Sequence, residues 1–494
     1  MRPGDVIVTQ LMSGAKSDPA RLPAMAGPSV LLISAFDLGH QPFGLASPAA
    51  WLAAEGARVA CLDLAVQKLD EAAVRGADLI GFYLPMHTAT RILAGVVPRV
   101  RELNPRAHLC AYGLYAPVNS GLLRRIGIDS IIGGEFEEPL AELVRDLRSQ
   151  TTGLLGPRLP VVSLGRQDFR VPDRAGLPAL SEYAFLTLPD GSRRTVGYTE
   201  ATRGCKHLCR HCPIVPVYGG QFRVVQRDVV LADIRQQVAA GAQHITFGDP
   251  DFFNGPAHAL ATVRALHDEF PGLTYDAVIK VEHLVKHRDR LPVLRETGCI
   301  LLTSAVESVD ERILEIFDKR HTRADFVTAV RALRELGIAL NPTFVAFTPW
   351  TTLEGYLRFL TEIDELGLVP NVTPIQYAIR LLIPEGSKLL ELPEVAGLVQ
   401  PFDPGSLAYP WVHEDPAVDA LQREVLALAA RAVAGRGPRE QFFDELWGLA
   451  TRAAGHPGRR RASGQEPAGV PVPQLSEPWY CCAEPTETQL APPV

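Results

Sequence analysis

From Ser29 onward the chain alternates short apolar runs with amphipathic stretches. Val30–Ile33 predicts a first strand, and Ser47–Glu55 a helix with Ser47 as N-cap and Pro48 in its first turn. Further strands are predicted at 58–63, 78–84, 108–112 and 130–132, with a helix near Ala89–Leu103 between them. The fifth strand runs into Gly133-Gly134-Glu135 and a helix to about Leu147. Uniformly apolar strands separated by helices predict an α/β fold with a doubly wound parallel sheet. Ligands of such sheets lie beyond the carboxyl ends of the strands.

Residues 150–194 are rich in Pro, Gly and Arg and read as a linker. Alternation then resumes, with strands predicted at 195–200, 244–248, 274–279, 300–305, 338–346 and 373–379. The intervening helices are amphipathic; Val230, Ile234 and Val238 repeat at helical spacing. Six such units predict a partial (β/α)6 barrel, whose working residues belong on the loops after the strands. Residues 415–452 read as helical, and from Gly455 onward the composition predicts disorder. The expected divisions are therefore a lead-in (1–28), a first α/β domain (29–149), the linker (150–194), the barrel (195–395), a helical region (396–454) and a tail (455–494).

Composition narrows the function classes. A chain of 494 residues with 47% hydrophobic and 21% charged positions is expected to fold as two or three globular domains. A net charge of −7 argues against broad nucleic-acid binding. The chain has no apolar run of about 18 residues, so no membrane span is expected. Met1–Met25 lacks an apolar signal core, which predicts a cytoplasmic protein. Eight cysteines are too few and too clustered for a disulfide scaffold and point to metal or redox work. Cys61, Cys110 and Cys299 lie in apolar strands and read as inert core residues.

Cys205, Cys209 and Cys212 form a C-x3-C-x2-C loop after the first barrel strand. Three thiolates can hold three irons of a 4Fe–4S cluster and leave the fourth iron open, whereas most electron-transfer clusters use four cysteines. Zinc is the alternative, with His207 or His211 as fourth ligand. Arg203, Lys206, His207, Arg210 and His211 crowd the loop and are expected to lower the thiol pKa values.

The loop resembles the signature of radical S-adenosylmethionine enzymes, and residues 195 to about 390 follow that family's order of segments. The resemblance implies a cluster bound by the three cysteines and S-adenosylmethionine chelating the open iron. One-electron cleavage of S-adenosylmethionine then gives a 5′-deoxyadenosyl radical that abstracts hydrogen from substrate. Phe247-Gly248-Asp249-Pro250-Asp251 matches the segment binding the methionine amino group, with Asp249 as acceptor; an Asx turn or helix cap is the structural alternative. Glu307 and Ser308 match the segment contacting ribose and carboxylate, Ser308 alternatively serving as a cap. Val345, in Phe344–Pro349, matches the adenine-lining segment, with packing in the barrel core as the alternative. Lys280 and Glu282 end a strand and face either the cavity or each other. Arg380 is a candidate for binding an acidic substrate group.

The first domain is similar to cobalamin-binding Rossmann-like domains that precede such barrels. Asp37-Leu-Gly-His40-Gln-Pro-Phe-Gly44 approximates their cobalt-ligating Asp-x-His-x-x-Gly motif, with the histidine one residue late. Gly113, Gly133 and Gly134 end strands where a corrin edge or nucleotide tail could approach backbone. The alternative is a sheet without cofactor. The tail Trp479-Tyr-Cys-Cys-Ala-Glu-Pro485 resembles the radical S-adenosylmethionine proteins named for a CCAEP (or CUAEP) tail, in which selenocysteine can replace the second cysteine. This implies a redox or metal-binding catalytic role for Cys481 and Cys482.

The resulting expectation is a radical enzyme using a 4Fe–4S cluster and S-adenosylmethionine, with or without cobalamin, that methylates, cyclises or rearranges a small-molecule or peptide substrate. It needs a low-potential electron donor such as flavodoxin or ferredoxin. The competing readings are a non-catalytic metal-binding thiol sensor or chaperone and a zinc-knuckle nucleic-acid module.

Overall fold

A computed structural model describes residues 27–149, 161–435, 437–456 and 470–476, with residues 458 and 490. Cys481 and Cys482 lie outside the described residues. The first sheet comprises β1 (Ser29–Ser34), β2 (Arg58–Asp63), β3 (Leu79–Tyr83), β4 (His108–Tyr112), β5 (Ser130–Gly134) and β6 (Val161–Ser163). Its order is β2-β1-β3-β4-β5-β6, and every neighbouring pair is parallel. Successive side chains point to opposite faces, and each face has its own core. Leu31, Ile33, Ile80, Phe82 and Leu109 lie in one, and Val30, Leu32, Leu79, Cys110 and Tyr112 in the other. Two covered faces explain why these strands read as continuous apolar runs.

Two local readings are corrected. The first helix spans Phe43–Ala54 and starts before Ser47, from an N-cap at Pro42. Pro48 lies inside it and cannot donate to the carbonyl of Gly44, which instead accepts the Tyr112 hydroxyl at 2.8 Å. Ser47 is not a cap; its hydroxyl donates to Glu137 at 2.6 Å. The linker is also not plain connection. Residues 161–163 add a sixth strand to the sheet, and the Glu135 N–H donates to the Ser163 carbonyl at 2.7 Å.

The second sheet begins with β7 (Phe185–Thr187) and β8 (Arg193–Thr199). A short ribbon follows, β9 (Thr202–Gly204) paired antiparallel with β10 (Phe222–Val224). The sheet continues with β11 (His244–Phe247), β12 (Thr274–Val278), β13 (Cys299–Glu307) and β14 (Ala339–Phe344), and gains β15 (Gln474–Leu475) from the tail. The order is β14-β13-β12-β11-β8-β7-β15. The five long strands are parallel and curl into a half-barrel, while β7 and β15 run antiparallel at one rim. The helices that follow these strands cover the outside, where Ile234, Val263, Leu284, Val330 and Leu360 join one continuous core.

The expected sixth barrel strand is absent among the described residues. Pro374–Tyr377 forms a 3-10 turn, with Pro374 in its first turn. The Gln376 side chain takes over part of the pairing, accepting the backbone N–H of Phe344 at 2.9 Å. One parallel bridge, Phe347 to Arg380, remains. The tail, expected to be disordered from Gly455, contributes β15 as an ordered strand against β7. Two helices, Pro416–Gly435 and Arg439–Ala453, occupy the region expected to be helical.

Candidate functional site

The cysteine loop springs from a pinched base. β9 and β10 pair with Gly204 opposite Phe222, so residues 205–221 form a closed excursion beyond β8. Gly204 has φ +72°, and a β-carbon there would stand 2.3 Å from the Tyr218 ring; the position requires glycine. Asn254 latches one side of the loop, accepting the Lys206 N–H and donating to the Gly204 carbonyl, both at 3.2 Å. The other side is held by the Arg210 N–H, which donates to the Phe317 carbonyl at 2.9 Å. The Arg210 guanidinium donates to the carbonyls of Glu315 and Ile316 at 3.0 Å each.

Cys205, Cys209 and Cys212 line one cavity together with His207, His211, Asp251, Lys280, Glu307, Lys319 and Val345. Thr303, Thr343 and Gln376 continue its wall into the half-barrel. Among the described residues, the three thiols are not all within 4.8 Å of one another and of a fourth histidine or carboxylate. A single zinc ion, at about 2.3 Å from each sulfur, requires a tighter set. His207 is turned to Asp251 and His211 to Glu307, so neither completes a zinc site with the thiols. A soft thiolate set on one cavity wall fits an iron–sulfur cluster.

The electrostatics correct one expectation. Burial pushes the Cys205 thiol up to about 11, against the opposing pull of Lys280. The loop's cations do not act as expected because most are committed elsewhere. Arg203 is buried and ion-paired with Glu200 at 2.6 Å and with Glu137 and Glu135 of the first domain at 2.6 and 3.4 Å. The cations beside the thiols are instead Lys280 and Lys319, the latter a residue to which the sequence assigned no role.

Glu307 and Lys319 make the sharpest charge feature of the cavity. Glu307 has φ +67°, which carries its carboxylate to Lys319 Nζ and His211 Nε2 at 3.3 and 3.1 Å. Burial alone would raise its pKa, but Lys319 and His211 outweigh this and hold it at about 2. His211 stacks on Phe317, with ring centroids 4.3 Å apart.

Other expected residues are placed differently. Asp249 is fully buried, and its carboxylate accepts the Ala201 N–H at 2.9 Å and the Thr202 hydroxyl at 2.6 Å. It braces the strand entering the cysteine loop. Burial pushes its pKa up to about 7 despite those bonds. Gly248 lies under Tyr198, whose ring would meet any β-carbon within 2.6 Å. Asp251 faces the cavity, but its carboxylate is engaged by His207 and His283. Ser308 lines an adjoining pocket, and its hydroxyl accepts the Asp310 N–H at 3.1 Å; Asp310, not Ser308, caps the next helix. Lys280 pairs with Glu282 at 3.0 Å while still lining the cavity. Arg380 is spent on Asp419 at 2.6 Å and on the Trp411 ring and carbonyl, which removes it as a substrate ligand.

In the first domain, the expected corrin-facing glycines are filled by the chain itself. A β-carbon on Gly44 would strike the Tyr83 ring at 2.2 Å, on Gly133 the Pro117 ring at 2.1 Å, and on Gly134 the Ser163 carbonyl at 2.1 Å. Gly113, at φ +108°, closes on the Leu84 carbonyl. These glycines serve internal packing. Asp37 is buried among acidic neighbours, which with burial raises its pKa well above the usual carboxylate range. His40 is different. Together with Leu38 it lines a large cavity between the first domain, the half-barrel and the segment 472–476, and Val278, Thr303 and Gln376 border both cavities. Burial lowers the His40 pKa to about 4, which keeps its imidazole neutral. Cys110 and Cys299 are buried in their cores, as expected of core residues, and Cys61 is only half-buried against the first domain's core.

Comparison with known proteins agrees with this geometry. Residues 199–359 match the model of the Radical SAM superfamily. The chain is 26% identical over 268 residues to a tRNA-2-methylthio-N(6)-dimethylallyladenosine synthase of Sorangium cellulosum, covering 49% of this chain and 50% of the relative. It is 23% identical over 257 residues to the hopanoid C-3 methylase of Methylococcus capsulatus, covering 50% and 48%. The chain thus spans about half the length of these curated relatives. In overall fold it is similar to the cobalamin-dependent S-adenosylmethionine radical enzyme OxsB, with a TM-score of 0.64 at 14% identity over 86% of this chain and 71% of that one. The radical S-adenosylmethionine methyltransferase TsrM of Kitasatospora setae gives 0.59 at 17% identity over 76% and 80%. Among the described residues no helix is long and apolar enough to cross a membrane.

Proposed function

We propose that this protein, which carries a radical S-adenosylmethionine domain, is an enzyme that removes a hydrogen atom from an organic substrate within its half-barrel. The observation that carries the reading is the placement of three thiols on the wall of one cavity that also holds the Glu307–Lys319 pair. Cys205, Cys209 and Cys212 would hold a 4Fe–4S cluster, and the adjoining wall at Glu307, Lys319, Lys280 and Val345 would hold S-adenosylmethionine. When bound, these two supply one-electron chemistry that ends in removal of hydrogen from the substrate.

The chain's own share is binding, orientation and exclusion of water. Lys280 and Lys319 bring positive charge to the thiolate side, where a net negative cluster needs it. Apolar walls at Ile214, Val278, Phe344 and Ile379 keep the cavity dry and strengthen those charges. Thr303, Thr343, Asn341 and Thr246 carry hydroxyl and amide groups into the half-barrel interior, where a polar substrate would be oriented. We favour a small molecule over a macromolecule, since the polar groups converge inside the barrel. A tRNA-modifying relative makes nucleic acid the arm to test against.

A corrinoid fits at the His40 side and not at the glycines. The imidazole is neutral and lines the cavity that communicates with the thiols, so His40 is the residue that would ligate cobalt. Cys481 and Cys482 are assigned a redox role in turnover on the resemblance of their tail alone.

The test is anaerobic reconstitution with iron and sulfide, followed by reductant and S-adenosylmethionine. Wild-type protein should bind about four irons per chain and release 5′-deoxyadenosine. The triple Cys→Ala variant at 205, 209 and 212 should do neither. Iron-loaded protein that never yields 5′-deoxyadenosine overturns the reading. Cobalamin uptake lost on His40→Ala tests the corrinoid assignment, and replacement of Cys481 and Cys482 by Ala should alter turnover while leaving iron content unchanged.

A further inference from the structure

Next to the thiols, three other metal-ligating groups converge. His207 comes from the cysteine loop, Asp251 from the turn after β11, and His283 from the helix Val281–Lys286. His207 Nε2 stands 3.3 Å from Asp251 Oδ2, and His283 Nδ1 stands 2.6 Å from the same oxygen. The two imidazole centroids are 4.7 Å apart. One ligand atom from each residue lies within 4.8 Å of the other two, and all three residues are buried.

The surroundings favour an ion over a plain hydrogen-bonded trio. His283 is fully buried, and its second ring nitrogen, Nε2, has no hydrogen-bond partner. Asp251 Oδ2 and the facing nitrogens of both histidines also lack hydrogen bonds of good geometry, though they are close enough for one. Polar atoms this buried are normally satisfied. A cation at their centre satisfies all three at once. On the outer side, His207 Nδ1 lies 3.3 Å from Lys280 Nζ and 3.6 Å from Glu282, and Nε2 is turned inward to Asp251. Glu282 pairs with Lys280, so the ammonium does not stand as a free charge against an ion.

We propose that His207, Asp251 and His283 form a binding site for one divalent first-row transition-metal ion, separate from the iron held by the three cysteines. Two imidazoles and one carboxylate suit zinc or ferrous iron, whereas thiolates suit cluster iron. His207 and Asp251 also line the cysteine cavity, so the remaining coordination positions of the ion open towards the substrate space. The site joins residues from three separate segments, which is why no sequence spacing announces it.

The experiment starts from cluster-loaded protein, equilibrated anaerobically with Zn2+ and desalted before metal analysis. Wild-type protein should retain about one zinc per chain beyond its iron, and His283→Gln and Asp251→Asn should each weaken zinc binding by at least about tenfold with iron content unchanged. X-ray absorption at the zinc edge of wild-type protein then decides without recourse to a variant. Nitrogen and oxygen neighbours with imidazole scattering support the site. Sulfur neighbours overturn it, as do failure to retain zinc or equal retention by wild-type protein and a folded His283→Gln variant. Failure of the hydrogen-abstraction reading leaves this test intact, since it reads metal content and coordination.

Discussion

A single lysine sets the charge state of the cavity. Lys319 lies beside a buried carboxylate, and Glu307 stays ionised because of it. Replacing Lys319 with Met leaves that carboxylate with His211 alone, and breaking a buried pair in this way costs about 3–5 kcal/mol. The expected outcome is a lower melting temperature and weaker S-adenosylmethionine binding, measured by calorimetry. The pH dependence follows from the direction of the shift. Glu307 falls from 4.5 to about 2 on folding, so its stabilisation is complete above pH 4.5 and is lost as pH drops towards 2. Acid unfolding of Lys319→Met should lose that limb, which titration of circular dichroism would register.

Among the elements, the β9–β10 ribbon decides whether the cysteine loop keeps its shape. Gly204→Ala combines a left-handed backbone with a methyl against Tyr218, at an expected cost of about 1–3 kcal/mol. Iron retention should fall with it, which a colorimetric iron assay would show; full retention would mean that the ribbon does not govern the loop. The parallel strands were legible because burial on both faces left them apolar throughout, and His108–Tyr112 is bounded as read. The cysteine triplet was legible because its ligands are local. What escaped was non-local. Val161–Ser163 is too short to register as a strand until β5 pairs with it. Thr373–Ile379 alternates like a strand, yet Pro374 and the Gln376 amide turn it into a 3-10 segment. The start of the first helix was hidden because a tyrosine 68 residues away satisfies the carbonyl that Pro48 leaves bare. His283 carried no signal, since its partners lie on two other segments.

For the whole molecule, the decisive contact is Arg203, which ties the cysteine loop to Glu135 and Glu137 of the first domain. Tyr218 adds a hydroxyl to Glu135 at 3.1 Å, and Arg174 spans Asp233 and Gln41 at 2.7 Å to each. Arg203→Met should therefore loosen both domains at once, by about 3–5 kcal/mol, because it strands several buried carboxylates. Limited proteolysis between the domains would reveal it, and unchanged resistance would argue that the interface rests on apolar packing. Burial raises Glu135 from 4.5 to about 7, so the folded state keeps a proton that the unfolded chain releases. Stability should accordingly decline as pH rises from 4.5 to 7, and Glu135→Gln should flatten that slope in urea titrations. The union of β15 with β7 has its own consequence. Residues 291 positions apart meet there, with the Ser476 N–H donating to the Phe185 carbonyl and the Ser476 hydroxyl accepting the Phe185 N–H. A nascent chain cannot shield that rim until residues 474–476 have emerged, and until then the bare backbone is a template for another copy. Chains clipped ahead of Gln474 should aggregate during refolding, and the short cover strand acts as a safeguard on solubility.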